Sequence, residues 1–323
     1  MPTPNVIKLN RKRLQGKDIW PYLFLVPFFV IYLAFNFYPL IYSFIISLNK
    51  WDGFTKPAFI GFKNYVDIFT RDPYFLKSIK NTLIFMAFDI PLCVGGGIVM
   101  AAILNSKYLK APDVFRWTTF LPYVTIPVAI GILFLLIFDW NMGLLNRILL
   151  SIGIIREGIN FLGVPALARG VTISMIFWKY LGYHMIFFNA GILSISHELY
   201  EAADVDGASG FTKFFKITVP MLKPILEFLL VMNIIWGFQL FDEPKAMFSS
   251  WTSSGGSVAS AGGPQRSILT AIWNLYDTSF GTQMQYGKGA AIAYGLFLFI
   301  LVSSLIVQVI IRRGKSKDEG GFF

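Results

Sequence analysis

Charge is scarce in this sequence: of 323 residues only 14% are Asp, Glu, Lys or Arg, against 55% hydrophobic. A water-soluble fold of that composition would have to hide more apolar surface than one chain of this length can enclose, which puts the chain in the membrane class. Cysteine is scarcer still, and the single Cys93 excludes a disulfide framework or a thiolate metal cluster within the chain. There are two histidines, His184 and His197, with no carboxylate at metal-ligand spacing, so a metal site is not expected. A phosphate-cradling loop is also missing. The nearest approach, Gly281 to Gly289, has five residues before Gly287-Lys288 and then a glycine where Ser or Thr is needed. No Gly-x-Ser-x-Gly elbow occurs. The chain is therefore read as catalysing no chemistry and binding no cofactor itself.

The formal net charge is +10, yet the basic residues gather at the ends and between hydrophobic runs. That distribution fits anionic lipid and membrane orientation, and no nucleic-acid partner is expected. Apolar spans fall at roughly 20–48, 79–104, 117–138, 167–193, 222–244 and 289–311, each near the ~20 residues that cross a hydrocarbon core. The first is too long for a signal peptide and no small-residue cleavage site follows it, so it reads as a retained helix. The fold class expected is an all-α membrane protein of six transmembrane helices in one domain, 1–323. Its tails 1–19 and 312–323 and the polar stretch 194–223 lie on the cytoplasmic side. Those segments with 105–116 carry 15 Lys and Arg in 73 residues, against 11 in 105 on the opposite side. The loop 50–80 dissents, with Lys50, Lys56, Lys63, Arg71, Lys77 and Lys80, and reads as a structured outer cap. A further outer loop holds Leu144 to Ile155, spaced as an amphipathic helix, and Ser249 to Gly263 is a Ser/Gly-rich run.

The stretch from Ser194 to Pro224 is polar between two apolar spans. It reads as a hairpin of two short helices: Ser196 can cap the first, Gly207 suits a left-handed stop, and Thr212 can cap a second that ends before Pro220. Glu201, Ala202, Ala203, Asp206, Gly207, Ala208, Phe215, Ile217 and Pro220 together resemble the EAA loop of permease subunits in bacterial ATP-binding-cassette (ABC) importers. Val219 stands where that family has leucine. Further stretches resemble the carbohydrate-uptake branch: Gly61 to Tyr65, Asn81-Thr82-Leu83, Arg116, Leu121-Pro122, Pro127, Trp140, Gly143, Asn146, Gly262-Gly263-Pro264, Tyr276, Phe280, Gly287 and Ala290.

The resemblance implies a type I ABC importer permease fold whose hairpin docks on a cytoplasmic ATPase. Glu201 and Gly207 would shape the hairpin, and Ala202, Ala203, Asp206 and Ala208 would meet the ATPase. It implies as partners a second permease subunit, two ATPases that bind the ATP and magnesium, membrane lipid, and an extracellular or periplasmic solute-binding protein. The location implied is the bacterial plasma (inner) membrane. For the solute path, Asn233, Trp236 and Gln239 share one face of span five with Asp242 near its end, and Trp178, Gly182 and Asn189 form a similar stripe on span four. Amides and carboxylates suit sugar hydroxyls and aromatic faces suit sugar rings; alternatively the amides tie helices together. Lys179 and Glu227 read as snorkelling or interhelical pairs. Gly95-Gly96-Gly97 with Ala101 and Ala102 reads as a packing face. An importer of the same architecture for glycerol phosphate or a sugar-acid oligomer remains an alternative, as does an ion-coupled carrier using Asp89.

Overall fold

The computed structural model describes residues 20–106, 109–251, 262–281 and 284–319. The expected N-terminal tail 1–19, most of the Ser/Gly-rich run and the last residues of the C-terminal tail lie outside the described residues. Helix dominates. α1 (Trp20–Tyr32) passes through a π turn (Leu33–Phe37) into α2 (Tyr38–Ser47). A small antiparallel pair, β1 (Asn49–Lys50) and β2 (Ala58–Phe59), leads to α3 (Lys63–Thr70) and the long α4 (Phe75–Leu104). Then come α5 (Pro112–Val124), α6 (Pro127–Phe138), α7 (Leu144–Ser151) and α8 (Pro165–Ser194). The polar stretch forms α9 (His197–Val205), α10 (Gly210–Lys213), a second π turn (Phe214–Thr218) and α11 (Val219–Met221). α12 (Lys223–Phe238), α13 (Asp242–Trp251), α14 (Ala271–Phe280) and α15 (Tyr286–Glu319) complete the chain.

Among the described residues, four helical stretches are long and apolar enough to cross a membrane: Tyr22–Ser47, Phe75–Leu104, Lys223–Ser249 and Tyr286–Ile310. The pair α5 and α6 makes a fifth if it is one span, but it is bent by 99°. A straight helix over 117–138 is therefore corrected. Pro127 disfavours helical geometry at the residue before it, and both Thr125 and Ile126 are extended. α8 has the length of a span at 30 residues, yet Lys179, His184 and Asn189 dilute its hydropathy, and all three are buried. The expected amphipathic helix is shorter than Leu144 to Ile155, stopping at Ser151 before Gly153 at φ +73°.

Helix α8 is the centre of the packing. It runs along α4, where a Cβ on Gly97 would sit 2.6 Å from the His184 side chain, so only glycine permits the approach. Phe85, Ile130, Phe134, Met175, Met247 and Trp273 belong to the largest apolar cluster, which joins α4, α6, α8, α13 and α14. The outward faces are apolar too: Phe24, Phe35, Leu121 and Leu136 are all more than 60% exposed, as expected where the surrounding solvent is lipid.

Several residues that carried the family resemblance prove to pin backbone. Asn64 donates to the Ser47 and Asn49 carbonyls, at 2.8 and 2.9 Å, and Tyr65 Oη meets Ser47 Oγ at 2.7 Å. Asn81 donates to the carbonyls of Arg266 and Leu269, while Thr82 Oγ1 accepts from the Ala271 amide. Asn146 closes the loop after α6 through the carbonyls of Asp139, Trp140 and Ile159. In the turn after β1, Asp52 accepts from both the amide and the hydroxyl of Thr55 and from the Phe54 amide. Those donors, the Thr55 amide first, hold its carboxyl down at about 2.

Candidate functional site

Two places gather the residues singled out above. The first is the hairpin. α9 ends in a Schellman motif: Gly207 takes φ +72°, its amide donates to the Asp204 carbonyl at 3.0 Å, and the Ala208 amide donates to Ala203 at 2.8 Å. Lys213 Nζ bridges to Asp204 at 2.7 Å and Tyr200 Oη meets Thr218 Oγ1 at 2.9 Å, so two side-chain links hold the helices at a fixed angle. Ser196 occupies the N-cap position of α9 without a side-chain cap bond. The cap of α10 is Ser209, whose Oγ accepts from the Thr212 amide at 3.2 Å; Thr212 is thus the capped residue and not the cap.

The second helix does not stop before Pro220. Proline lacks the N–H that the Lys216 carbonyl would need, and the chain widens to a π turn over Phe214–Thr218, with the Val219 amide donating to Phe214, then continues to Met221. The same device precedes Pro39, where Leu33–Phe37 is the widened turn.

On the hairpin surface Glu201, Ala202, Asp206, Gly207, Phe215 and Pro220 are exposed, and Ala203, Ala208 and Ile217 are half-buried. Glu201 Oε1 lies 3.2 Å from His197 Nδ1. Sequence reading missed the most exposed apolar side chains there, Val205 at 88% and Phe211 at 74%. Phe211 packs against Phe215 with the rings tilted by 52° and their centroids 4.6 Å apart. The signal available was their setting: Val205 and Phe211 are large apolar residues on short helices of an otherwise polar stretch.

The second place is a cleft of about 580 Å³ where the two interrupted helices meet. One wall is the α5–α6 bend, with Tyr123 and Thr125; the other is the break between α12 and α13, with Trp236, Gln239 and Asp242. Pro244 causes that second break by depriving the Leu240 carbonyl of its helical donor, and the Thr270 hydroxyl supplies one instead at 2.6 Å. At the back of the cleft, Lys179 of α8 is ion-paired with Glu243 of α13, and Tyr180 Oη donates to the same carboxylate at 3.3 Å.

The expected path residues therefore divide. Trp236, Gln239 and Asp242 line the cleft. Asn233 is buried and donates to His184 Nε2 at 2.9 Å, which leaves His184 Nδ1 to donate to the Tyr180 carbonyl at 2.8 Å. Asn189 is buried and accepts from Asn105 at 2.7 Å. Both amides tie helices across distant parts of the chain. Trp178 is 41% exposed and packs on Phe134, and Gly182 abuts the Thr119 carbonyl of α5. Lys179 is an interhelical pair. Asp89, half-buried, accepts from Cys93 on its own helix at 3.2 Å and lies in a smaller pocket with Asn233 and Trp236. No group of three or more His, Cys, Asp or Glu able to hold a metal occurs among the described residues.

Residues 93–316 match the family model for the binding-protein-dependent transport system inner membrane component. The chain is 34% identical over 289 residues to the lactose transport system permease protein LacF of Rhizobium radiobacter, covering 90% of this chain and 93% of that one. It is 32% identical over 323 residues to the arabinooligosaccharides transport system permease protein AraP of Bacillus subtilis (strain 168), covering 99% and 97%. In fold it resembles a chain of a bacterial ABC transporter involved in the import of the acidic polysaccharide alginate, with a TM-score of 0.75 at 24% identity, covering 92% of this chain and 96% of that one. A span-crossing helical chain with a rigid polar hairpin and a cleft at broken helices thus meets a model covering most of its length, and the chain belongs to the binding-protein-dependent transport system inner membrane components, the permease subunits of ABC transporters.

Proposed function

We propose that this permease imports a sugar, an oligosaccharide or glycoside, handed to it by an external solute-binding protein. The names of its relatives support this, lactose and arabinooligosaccharides among those at 32 to 34% identity. A glycerol-3-phosphate permease, UgpA of Yersinia pestis, is 28% identical over 288 residues and represents the competing solute class. In this reading α8 is a sixth span beside the five above, both termini and the hairpin face the cytoplasm, and a second permease completes the path. Two ATPase subunits bind and hydrolyse the ATP with magnesium.

The observation that carries the reading is the hairpin. It is braced at Asp204–Lys213 and Tyr200–Thr218, and it presents Val205, Phe211 and Phe215 outward beyond the spans. An apolar knob on a braced lever suits insertion into a cleft of a moving partner. ATP-driven closure of the ATPases would tilt the hairpin and, through the helix across Pro220 and the single-residue turn at Leu222, the spans that border the cleft. In the cleft Trp236 offers a ring face, and Gln239, Tyr123 and Thr125 offer hydroxyl-matching groups.

The test is to purify the tagged chain from its native membrane in mild detergent and identify what accompanies it by mass spectrometry. One ATPase and one second permease are expected, with the ATPase lost in Val205→Glu and Phe211→Glu variants that still insert. A chain recovered alone that transports under an ion gradient would overturn the proposal and direct attention to Asp89.

A further inference from the structure

The cleft at the two helix breaks is lined by three formally charged side chains, and two of them are committed to each other. Lys179 and Glu243 are each only 4% exposed and are joined as an ion pair, with Tyr180 as a second donor to the carboxylate. Asp242 is different. It is exposed, it lines the cleft, and no hydrogen bond or ion pair engages its side chain among the described residues. The rest of the lining that this chain's described residues contribute offers rings, hydroxyls and the Gln239 amide, and no further cation.

We infer that Asp242 makes this cleft reject anions, so that the solute crossing it is an uncharged sugar and not a uronate or a phosphate ester. The inference rests on the cleft being part of the path proposed above. An anionic solute needs a cation to meet it, and Lys179 cannot turn to do so without leaving the buried Glu243 carboxylate unpaired. It meets the Asp242 carboxylate instead, in a partly desolvated space where like charges a few ångströms apart repel more strongly than in bulk water. A neutral ring avoids this penalty, stacks on Trp236, and can donate its hydroxyls to Asp242 as to any sugar-binding carboxylate.

Charge preference can be measured without knowing the solute. In the assembled importer carrying Cys93→Ser, a Gln239→Cys substitution places one thiol in the cleft. Its reaction rates with a trimethylammonium and with a sulfonate methanethiosulfonate reagent are each divided by the rate of that reagent with free cysteine. The expected corrected ratio favours the cation about tenfold or more, falls toward one in Asp242→Asn, and falls likewise in about 1 M salt, where screening shortens to about 3 Å. A parent ratio near one overturns the inference, as does a ratio that neither salt nor Asp242→Asn changes. The salt measurement decides the matter if the Asn variant does not assemble. Uptake into proteoliposomes of a neutral oligosaccharide and of its uronate counterpart separates the two proposals. Preferred uptake of the uronate overturns the anion rejection. An importer that shows the charge ratio but moves neither sugar overturns the sugar reading while supporting the rejection of anions.

Discussion

Lys179 and Glu243 stand 64 positions apart in sequence and form a buried ion pair that joins α8 to the first turn of α13. The pair fixes α13 just after the break in the helix before it, and so fixes one wall of the cleft. Removing either partner alone strands a charge in a low-dielectric interior. Lys179→Met and Glu243→Leu are each expected to destabilise the protein by about 3–5 kcal/mol, whereas the two combined recover most of that loss. Thermal unfolding in detergent, followed by tryptophan fluorescence, checks the cycle; additive single losses in the double variant would contradict a direct pairing.

Thr270 is fully buried and holds two backbone groups at once, donating to the Leu240 carbonyl and accepting from the Trp273 amide. Thr270→Val keeps the shape and removes both bonds, which should cost about 1–3 kcal/mol. Thr270→Ser restores the hydroxyl and should recover most of it. A Val variant as stable as the parent would mean that the Leu240 carbonyl finds another donor.

Gly207 has open space around its Cα, so within this chain a side chain there meets no neighbour and strains only the backbone. Gly207→Val forces a β-branched residue into the left-handed region at φ +72°, a strain of about 1–3 kcal/mol. It should uncouple ATP hydrolysis from uptake while the chain still inserts. Gly207→Asn, which tolerates that conformation, should keep most of the coupling. Normal uptake by the Val variant would remove the turn from the mechanism.

Asp52 provides a pH marker for the turn after β1. Its folded value, about 2, lies below the ordinary carboxylate value of 3.8. The bonds to Thr55 and Phe54 therefore contribute fully above the unfolded value and are lost as pH falls through the folded one. In protein labelled with ¹⁵N-threonine, the Thr55 amide resonance should shift with a midpoint near 2; a midpoint near 3.8 would show that the turn does not hold its carboxylate.

The hairpin was legible in the sequence because a polar run between two apolar ones leaves few structures available, and Gly207 marks its own turn. The cap of its second helix was not, since Ser209 and Thr212 are both hydroxyl residues near the helix start and only the backbone trace decides which accepts. Continuation through Pro220 was hidden because a proline inside a helix reads as a stop unless the preceding turn widens. Proline also announced the bend at Thr125–Ile126, but the absence of any charged residue across 117–138 masked it. Asn189 and Asn233 show a deeper limit. Their partners, Asn105 and His184, lie 84 and 49 positions away, and a polar stripe on a helix looks alike whether it faces a cavity or another helix. Asp242, Trp236 and Gln239 reach the cleft only because Pro244 opens the chain between α12 and α13.

The π turn at Phe214–Thr218 has an implication for how this chain tolerates change in length. A π turn is an α-helical turn that has accommodated one extra residue, and each residue of an α-helix advances the side chains by about 100°. Deleting a single residue within 214–218 would keep α10 and α11 in angular phase, at the cost of setting the Pro220 ring against the carbonyl four residues before it. The same deletion in α9 or in the body of α12 would swing Val205 and Phe211, or Trp236, to the wrong side. The bulge is thus a place within the lever, on the hairpin side of the turn at Leu222, that can lose a residue and keep its angular timing.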